Sequence, residues 1–405
     1  MLSLCAGQDR PAPGTAVAAQ PSGASNQPAA QPSVDLSKWE FFPKQIYLSG
    51  QRASEWLQRA NRADGRFVYG YIPALRTPME GDSYLRQTGA AFALAKAARY
   101  YKDDKAEALA IQAVVTLLVD TAPEDAKEPK VRVCTLPPNA VNRLAAAAML
   151  VQAVAELPAP KADLLDQADQ LCNYLGKMQR NDGSLVANDG GADEGDAADY
   201  YSGEALYALT HSYQHRPAAW KLDVVRKALP YYQARWRGAK NLAMVPRHTA
   251  AYTEAYLLTK DKAYADCIFE LSDWLCTFQF QQLDPLHPLW VGGFMSCADG
   301  KPVPAPPQIV SAAYAESLAD AARIARQVGD VTRWQRYKDT LERCLQFLTT
   351  LQYTDANSQH FAEWYRPVVL GAFHASPTDG NLRLDYTQQA LSAMVQYLIY
   401  VAGVQ

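Results

Sequence analysis

Six short stretches set ionisable and hydroxyl-bearing side chains at the front of segments otherwise made of Ala, Leu and Tyr. Arg86 and Gln87 stand in YLRQTGAAFAL, Asn139 and Asn142 in PPNAVNRLA, and Tyr200, Tyr201 and Glu204 in DYYSGEALYAL. Arg247, His248, Tyr252 and Glu254 follow in PRHTAAYTEAY, Tyr314 and Glu316 in AAYAESLA, and Asp385 and Tyr386 in LDYTQQAL. A carboxylate on so apolar a segment needs a partner, a solvent-filled cavity or a task. Gathered around one cavity, Glu204, Glu254, Glu316 and Asp385 would serve as general acid, general base or nucleophile. Arg86, Gln87, Asn142, Tyr201, Arg247, His248, Tyr252, Tyr314 and Tyr386 would hold the substrate, because arginine forks suit uronic carboxylates and tyrosines suit sugar rings. A structural role is open to each as well. Glu204 could cap its own helix, Glu254 and Glu316 could bind loops or pair with Arg86 and Arg247, and His248 could cap a helix or fill the core.

Convergence of these residues depends on the elements that carry them. After residue 36 the pattern is helical almost throughout. ADLLDQADQLCNYLGKMQ places Leu164, Ala168, Leu171, Leu175 and Met178 on one stripe, and WQRYKDTLERCLQFLTTLQ does the same with Trp334, Tyr337, Leu341, Cys344, Leu348 and Leu351. The helices alternate in type. Amphipathic ones are expected near 51–62, 103–120, 162–180, 217–236, 262–282 and 331–353. Each precedes an Ala/Leu/Tyr-rich partner, near 84–101, 138–157, 199–214, 246–260, 308–328 and 384–402. A helix apolar all round belongs in the interior. The expected fold is therefore all-α: an (α/α)6 toroid of about six hairpins, its inner ring made of the second set.

Four connections support the repeat. LQRANRADGRFVYGY carries Gln58 and Asp64-Gly65, and LGKMQRNDGSLVAN carries Gln179 and Asp182-Gly183. FQFQQLDPLHPLWVGGF carries Gln279 and Gly292-Gly293-Phe294, and LTTLQYTDANSQHFAEWY carries Gln352 and Asp355. Each runs helix end, Gln, turn residues, aromatic. The Asp-Gly pairs should end their helices with Gly65 and Gly183 at positive φ, and Phe67 should pack under its turn. These hairpins resemble the repeats of the terpenoid-cyclase and protein-prenyltransferase α/α toroids, and those of six-hairpin sugar-processing epimerases, hydrolases and lyases. The resemblance spans about residues 40–403 and implies a central cavity at the N-terminal ends of the inner helices.

Composition narrows the chemistry. Lys+Arg 39 against Asp+Glu 42, a net charge of -3, provides no large positive field for nucleic acid. No stretch approaches the roughly 20 apolar residues of a membrane span. The 7 cysteines show no metal-ligand spacing, so most should act as small hydrophobes. His211 and His215 share a helix face without an acidic third ligand nearby, so neither metal nor cofactor is expected. ANDGGADEGDAADYY, with Asp189, Asp193, Glu194 and Asp196, could bind calcium or act as a lid, though its spacing is not that of an EF-hand.

The leader MLSLCAG resembles the tail of a signal peptide. It runs into an Ala/Pro/Gln/Ser-rich stretch that cannot bury a core. Residues 1–35 are thus expected as a disordered leader, 36–405 as the toroid domain, and the protein as exported, with a cytoplasmic leader as the alternative. The expected function is a carbohydrate-active enzyme, of hydrolase, lyase or epimerase type, acting on a glycan or uronic sugar. The alternatives are a terpenoid-cyclase-like or prenyltransferase-like protein and a non-catalytic glycan- or protein-binding toroid. The Asp-x-Asp-Asp run of squalene-type cyclases is missing. VGGFMSCADGKP resembles prenyltransferases, yet PVPAPPQIVSAAYAES follows it without their zinc ligands.

Overall fold

The computed structural model describes residues 34–127, 129–137, 139–187 and 195–404. The expectations for the leader 1–33, and for the acidic loop with the side chain of Asp196, lie outside the described residues. Contacts divide the chain after Trp39. Before that point a 3-10 turn, Leu36–Lys38, is capped by the Asp35 carboxylate. From Glu40 onward the chain is helical with small sheets.

Thirteen α-helices occur among the described residues. The outer set comprises α1 (Phe41–Ala60), α3 (Asp104–Leu118), α5 (Ala162–Lys177), α7 (Ala219–Gly238), α9 (Lys262–Leu275) and α11 (Val331–Thr350). The inner set comprises α2 (Tyr84–Tyr101), α4 (Arg143–Glu156), α6 (Asp196–Tyr213), α8 (Val245–Thr259), α10 (Ser311–Val328) and α13 (Leu384–Tyr397), with a short α12 (Arg366–Val369) between α11 and α13. Each inner helix packs on the next, and α13 packs back on α2, so the ring closes. The (α/α)6 toroid expected from the alternation is the observed fold.

Residue type explains the two layers. In α4 every residue from Leu144 to Glu156 is buried, and Ala90–Ala98 of α2 are buried throughout. Small alanines let six helices approach one axis. The outer α5 buries only its stripe of Leu164, Ala168, Leu171, Cys172, Tyr174 and Leu175. The largest boundary error falls on α1, which starts ten residues earlier than expected. Phe41, Phe42 and Pro43 look like a loop, but a proline in the first turn removes an N–H that has no helical partner anyway.

The repeated turn is present, with corrections. Four one-residue bridges pair Asn61 with Phe67, Gln179 with Leu185, Gln279 with Phe294 and Gln352 with Phe373. Asn61, not Gln58, therefore opens the first turn; Gln58 sits inside α1 and donates to Asp103 at 2.7 Å. Gly371, not Asp355, makes the fourth turn, and a leucine takes the aromatic place in the second. The amides of Gln179, Gln279 and Gln352 donate to the turn glycine's carbonyl at 3.0–3.3 Å. They also reach carbonyls of a neighbouring outer helix, Val224, Thr340 and Ser49, at 2.7–2.9 Å. One side chain thus closes a turn and ties two outer helices. Gly65 and Gly183 adopt φ +83 and +93, and Phe67 is buried.

Gly292 has φ +88, and a Cβ on it would lie 2.1 Å from the backbone oxygen of Arg343 in α11. Gly292→Ala is expected to cost about 2 kcal/mol, from left-handed strain plus a backbone clash. Urea unfolding checks this; an unchanged midpoint would mean that the turn does not tie the outer helices.

Among the described residues eight short strands occupy connections. β1 (Gly70–Ile72) and β2 (Thr77–Pro78) join β7 (His374–Ser376) and β8 (Asp379–Arg383) in one antiparallel sheet of order β2-β1-β8-β7. Gly70 faces Arg383, so this sheet fastens the first connection of the ring to the last. β3 (Thr121–Pro123) with β4 (Arg132–Cys134), and β5 (Ser296–Ala298) with β6 (Lys301–Val303), form two-stranded hairpins. Among the described residues no helix is long and apolar enough to cross a membrane, and no disulfide joins the described cysteines.

Candidate active site at the mouth of the ring

Outer and inner helices alternate in direction, so all inner helices begin at one end of the ring. That end holds a cavity of about 1310 Å3. The start of α6, the end of α7 with the segment behind it, the β5–β6 hairpin and the start of α10 form its walls. The hairpin turns at Asp299-Gly300, both at positive φ, the chemistry of a two-residue primed turn. Trp274 Nε1 donates to the Gly300 carbonyl at 3.2 Å and anchors the tip.

The wall is polar and aromatic. Tyr200, Tyr201 and Tyr314 line it from the inner helices. Four cations line it too: Arg235 and Arg237 from the end of α7, Lys240 just beyond, and Lys301 on β6. Asp199 and Asp299 are the carboxylates among its described lining residues. Asp199 is pinned by the Arg235 guanidinium and by Asn241 Nδ2 at 2.9 Å. Arg237 is held bidentately by Glu270 at 2.6 and 2.8 Å. Lys240 and Lys301 form no salt bridge among the described residues; Lys240 lies 4.8 Å over the Trp236 ring and, behind Arg237, helps lower the Glu270 carboxyl. The α7 end and the hairpin were not among the residues singled out from sequence. Basic residues in a last helical turn ordinarily answer the helix dipole in solvent, and ADG marks only a turn.

Beneath Tyr200 the ring is filled by charge. Gln152 Nε2 donates to Glu204 Oε2 at 2.7 Å, and Arg247 Nε lies 2.9 Å from Glu204 Oε1. The Arg247 N–H does not point along that line, so the contact is an ion pair and not a straight hydrogen bond. Arg247 Nη1 stands 3.5 Å from Glu316 Oε2, and Lys96 Nζ 2.9 Å from Glu316 Oε1. Ser392 Oγ donates to Glu316 at 2.5 Å, Lys96 donates to Gln396, and Gln396 Nε2 donates to Asp320 at 2.6 Å. Every inner helix contributes a side chain to this chain. Burial pulls the Arg247 guanidinium down, and Glu204, Tyr200 and Glu316 more than reverse it. Burial likewise raises the Glu316 carboxyl, but Lys96 and Arg247 outweigh it and bring it down to about 2.

The residues singled out from sequence therefore part company. Tyr201 and Tyr314 line the mouth cavity. Glu204 is fully buried, and Glu316 and Arg247 nearly so, in the ion chain under its floor. Glu204 thus has the partner its helix position demands, and its carboxylate faces other inner helices in place of the cavity. Glu254 corrects its expected height: more than two turns into α8, it lies at the opposite end of the ring. There Gln214 Nε2 donates to it at 2.6 Å.

Asp385 is gripped by Arg383 at 2.6 and 2.8 Å and by Arg86 at 3.2 Å, while Arg86 donates to Tyr69 OH at 2.5 Å. Arg383 covers the Tyr386 ring at 4.5 Å. This cluster sits where the closing sheet meets α13, and its carboxylate keeps a partly open face, 14% exposed. Gln87 clamps the first turn through Phe67 N and O, and Asn142 caps α4 through Ala145 N at 2.9 Å. His248 is buried between Tyr252 OH, Ser202 and the Asp199 carbonyl. Burial pushes its imidazole down to about 4, so it is neutral at pH 7. The polar atoms of Gln87, His248 and Tyr252 are thus spent on the scaffold. Among the described residues no cluster of three or more His, Cys, Asp or Glu side chains is arranged to hold a metal ion.

No protein-family profile and no curated protein sequence matches the chain. Solved structures do. A D-mannose isomerase superposes with TM-score 0.63 at 12% identity, covering 88% of this chain and 99% of that one. A cellobiose 2-epimerase from Bacillus thermoamylovorans gives 0.63 at 11%, covering 89% and 99%. An unsaturated glucuronyl hydrolase specific for heparin gives 0.59 at 13%, covering 87% and 96%. At such identities the likeness concerns the fold, and in fold this chain is an α/α toroid like those carbohydrate-processing enzymes.

Proposed function

We propose that the protein is a carbohydrate-active enzyme that takes an acidic sugar, free or at the end of an oligosaccharide, into the mouth cavity. One observation carries this reading: tyrosines and four cations surround a large open cavity, and two of the cations, Lys240 and Lys301, form no salt bridge among the described residues. An ammonium beside a sugar carboxylate supplies charge-assisted hydrogen bonds, and tyrosine faces pack on the ring. The fold comparisons support a carbohydrate substrate, since the neighbours include enzymes named for mannose, cellobiose and heparin, the last an acidic glycan. Asp199, paired with Arg235, Asp299 on the hairpin tip and Asp385 with its open face are the carboxylates within this reading. Glu204, Glu316 and Arg247 act on it from below, as positioning residues behind Tyr200. An isoprenoid substrate fits poorly, because the ring's centre is filled by ion pairs and its mouth is polar.

The test is a panel of acidic and neutral polysaccharides, followed by release of reducing ends and by the ultraviolet absorbance of unsaturated products. Acidic substrates should be turned over, and Lys240→Ala with Lys301→Ala should raise KM about tenfold with little change in kcat. Preference for neutral glycans would overturn the reading. Binding without turnover would instead establish a glycan-binding toroid, a second reading favoured by the complete burial of Glu204. The same proposal keeps residues 1–35 as a leader outside the toroid and the protein exported, supported by the leader's composition. Fractionation of cells expressing the full chain tests it, and retention in the cytoplasm would contradict it.

A further inference from the structure

At the opposite end, where the inner helices finish, a second cavity of about 350 Å3 enters the ring. It shares no lining residue with the mouth, and the chain from Glu204 through Arg247 and Glu316 to Lys96 separates the two. Lys96, Tyr207, His211, Glu254, Asp320 and Tyr400 are among its walls. The volume lies in the range of small-molecule sites, roughly 300–1,000 Å3.

The chemistry of the walls narrows the occupant. Lys96 is matched by Glu316, Arg99 by Glu156, and Arg323 by Glu254 at 3.7 Å. Lys102 and Asp320 line the space without a salt bridge among the described residues, which leaves three lining cations, Lys96, Arg99 and Lys102, against three lining carboxylates, Glu156, Glu254 and Asp320, so a charged guest would add an uncompensated charge where a neutral one would not. Donors and acceptors nevertheless alternate around the space. His211 is buried with Nε2 3.0 Å from Glu156 Oε2, and its Nδ1 has no hydrogen-bond partner among the described residues. Gln214 and Glu254 meet at the rim, and Asp320 accepts from Gln396. Aromatic faces complete the wall. Tyr207 lies against His211 with ring centroids 5.3 Å apart, and Tyr400 is covered by the Arg323 guanidinium at 4.0 Å. Tyr400 belongs to a π-helical turn, Leu398–Ala402, a local unwinding that often accompanies functional sites.

We propose that this cavity is a second saccharide site, which takes a neutral mono- or disaccharide independently of what the mouth binds. Its hydroxyls would meet His211 Nδ1, Glu254 and Asp320, and its ring would lie on Tyr207. The site lies behind the ionic core, so it is a binding subsite and takes no part in the reaction at the mouth.

The full-length protein is titrated with glucose, mannose, galactose and cellobiose, and with glucuronate as the charged control. Calorimetry and the imidazole proton resonances are the readouts, with the His211 signal assigned through His211→Gln. A neutral sugar should bind and move the His211 resonance, and glucuronate should leave it in place. Glu254→Gln should weaken that binding about tenfold, and Lys301→Ala should leave it unchanged. The proposal is overturned if no neutral sugar moves the His211 resonance at tens of millimolar, or if Lys301→Ala abolishes binding while Glu254→Gln spares it. Should Glu254→Gln lower the melting temperature, the His211 resonance of the unaltered protein still decides.

Discussion

Replacing Arg247 by Met should cost about 3–5 kcal/mol of stability, the usual result of stranding a buried charge. The guanidinium serves Glu204, which is fully buried, and Glu316, which lies against Lys96. Removing it leaves Glu204 with Gln152 and Tyr200, neutral groups that can share a hydrogen bond but not a charge. Since small folded domains hold roughly 5–15 kcal/mol in all, the variant should unfold at much lower urea. The compensated variant Arg247→Met with Glu204→Gln removes one charge of each sign and should regain much of the loss, Glu316 keeping Lys96. Chemical denaturation of the two proteins measures both effects. A substrate-binding Arg247, as expected from its place at the head of α8, would give the opposite pattern: normal stability and weakened binding. A normal melting curve for Arg247→Met would restore that role and remove the ionic core from the account of the fold.

Asp320→Asn should stabilise the protein above neutrality and have little effect in acid. The carboxyl is buried, and burial pushes it up to about 7, with Glu316 and Glu254 adding to the rise against Arg323 and Lys96. In the unfolded chain it ionises near the ordinary aspartate value of 3.8. Below that value both states are protonated and Asp320 costs nothing. Between about pH 4 and pH 7 the unfolded chain alone gains by ionising, so the native state loses ground steadily, by up to roughly 4 kcal/mol above pH 7. Asparagine keeps the Oδ1 that accepts from Gln396 and cannot ionise. The difference in unfolding free energy between variant and parent should therefore grow from pH 4 to pH 7 and then level off. Glu316 has the opposite sign: lowered from 4.5 to about 2, it supports the fold above pH 4.5 and loses that contribution as the pH falls through 2. A difference between Asp320→Asn and parent that is flat with pH would mean that water reaches Asp320 freely.

How far the site could be foreseen differs by residue. Tyr201 and Tyr314 were legible because they stand within the first two turns of inner helices, and the first turns of a ring of parallel helices lie near one height. Glu204 stands in the third turn of α6 and Glu254 in the third of α8, yet one lies mid-ring and the other at the far end. Helices enter the ring at different depths, and no periodicity records that offset. Arg235, Lys240 and Lys301 escaped notice for a related reason. They belong to an outer helix end and a hairpin, which become part of the mouth only when the connections fold over it.

Local chemistry by itself determined the two helix types, their alternation and the glycine turns, because burial period and positive φ are written within a few neighbouring residues. From these the toroid follows, since helices apolar all round must be covered by one another at their sides and by the amphipathic set behind them. Tertiary structure alone decided which carboxylates meet cations and which meet solvent. Gln152 and Glu204 touch across 52 positions, and Lys96 and Glu316 across 220. An ion pair of that span depends on helix depth, on rotation about each axis and on which neighbours close the ring. Those are properties of the assembled fold, and they divided the expected catalytic row: Glu204 and Glu316 went to a buried ionic core, Glu254 to the far cavity and Asp385 to the closing sheet.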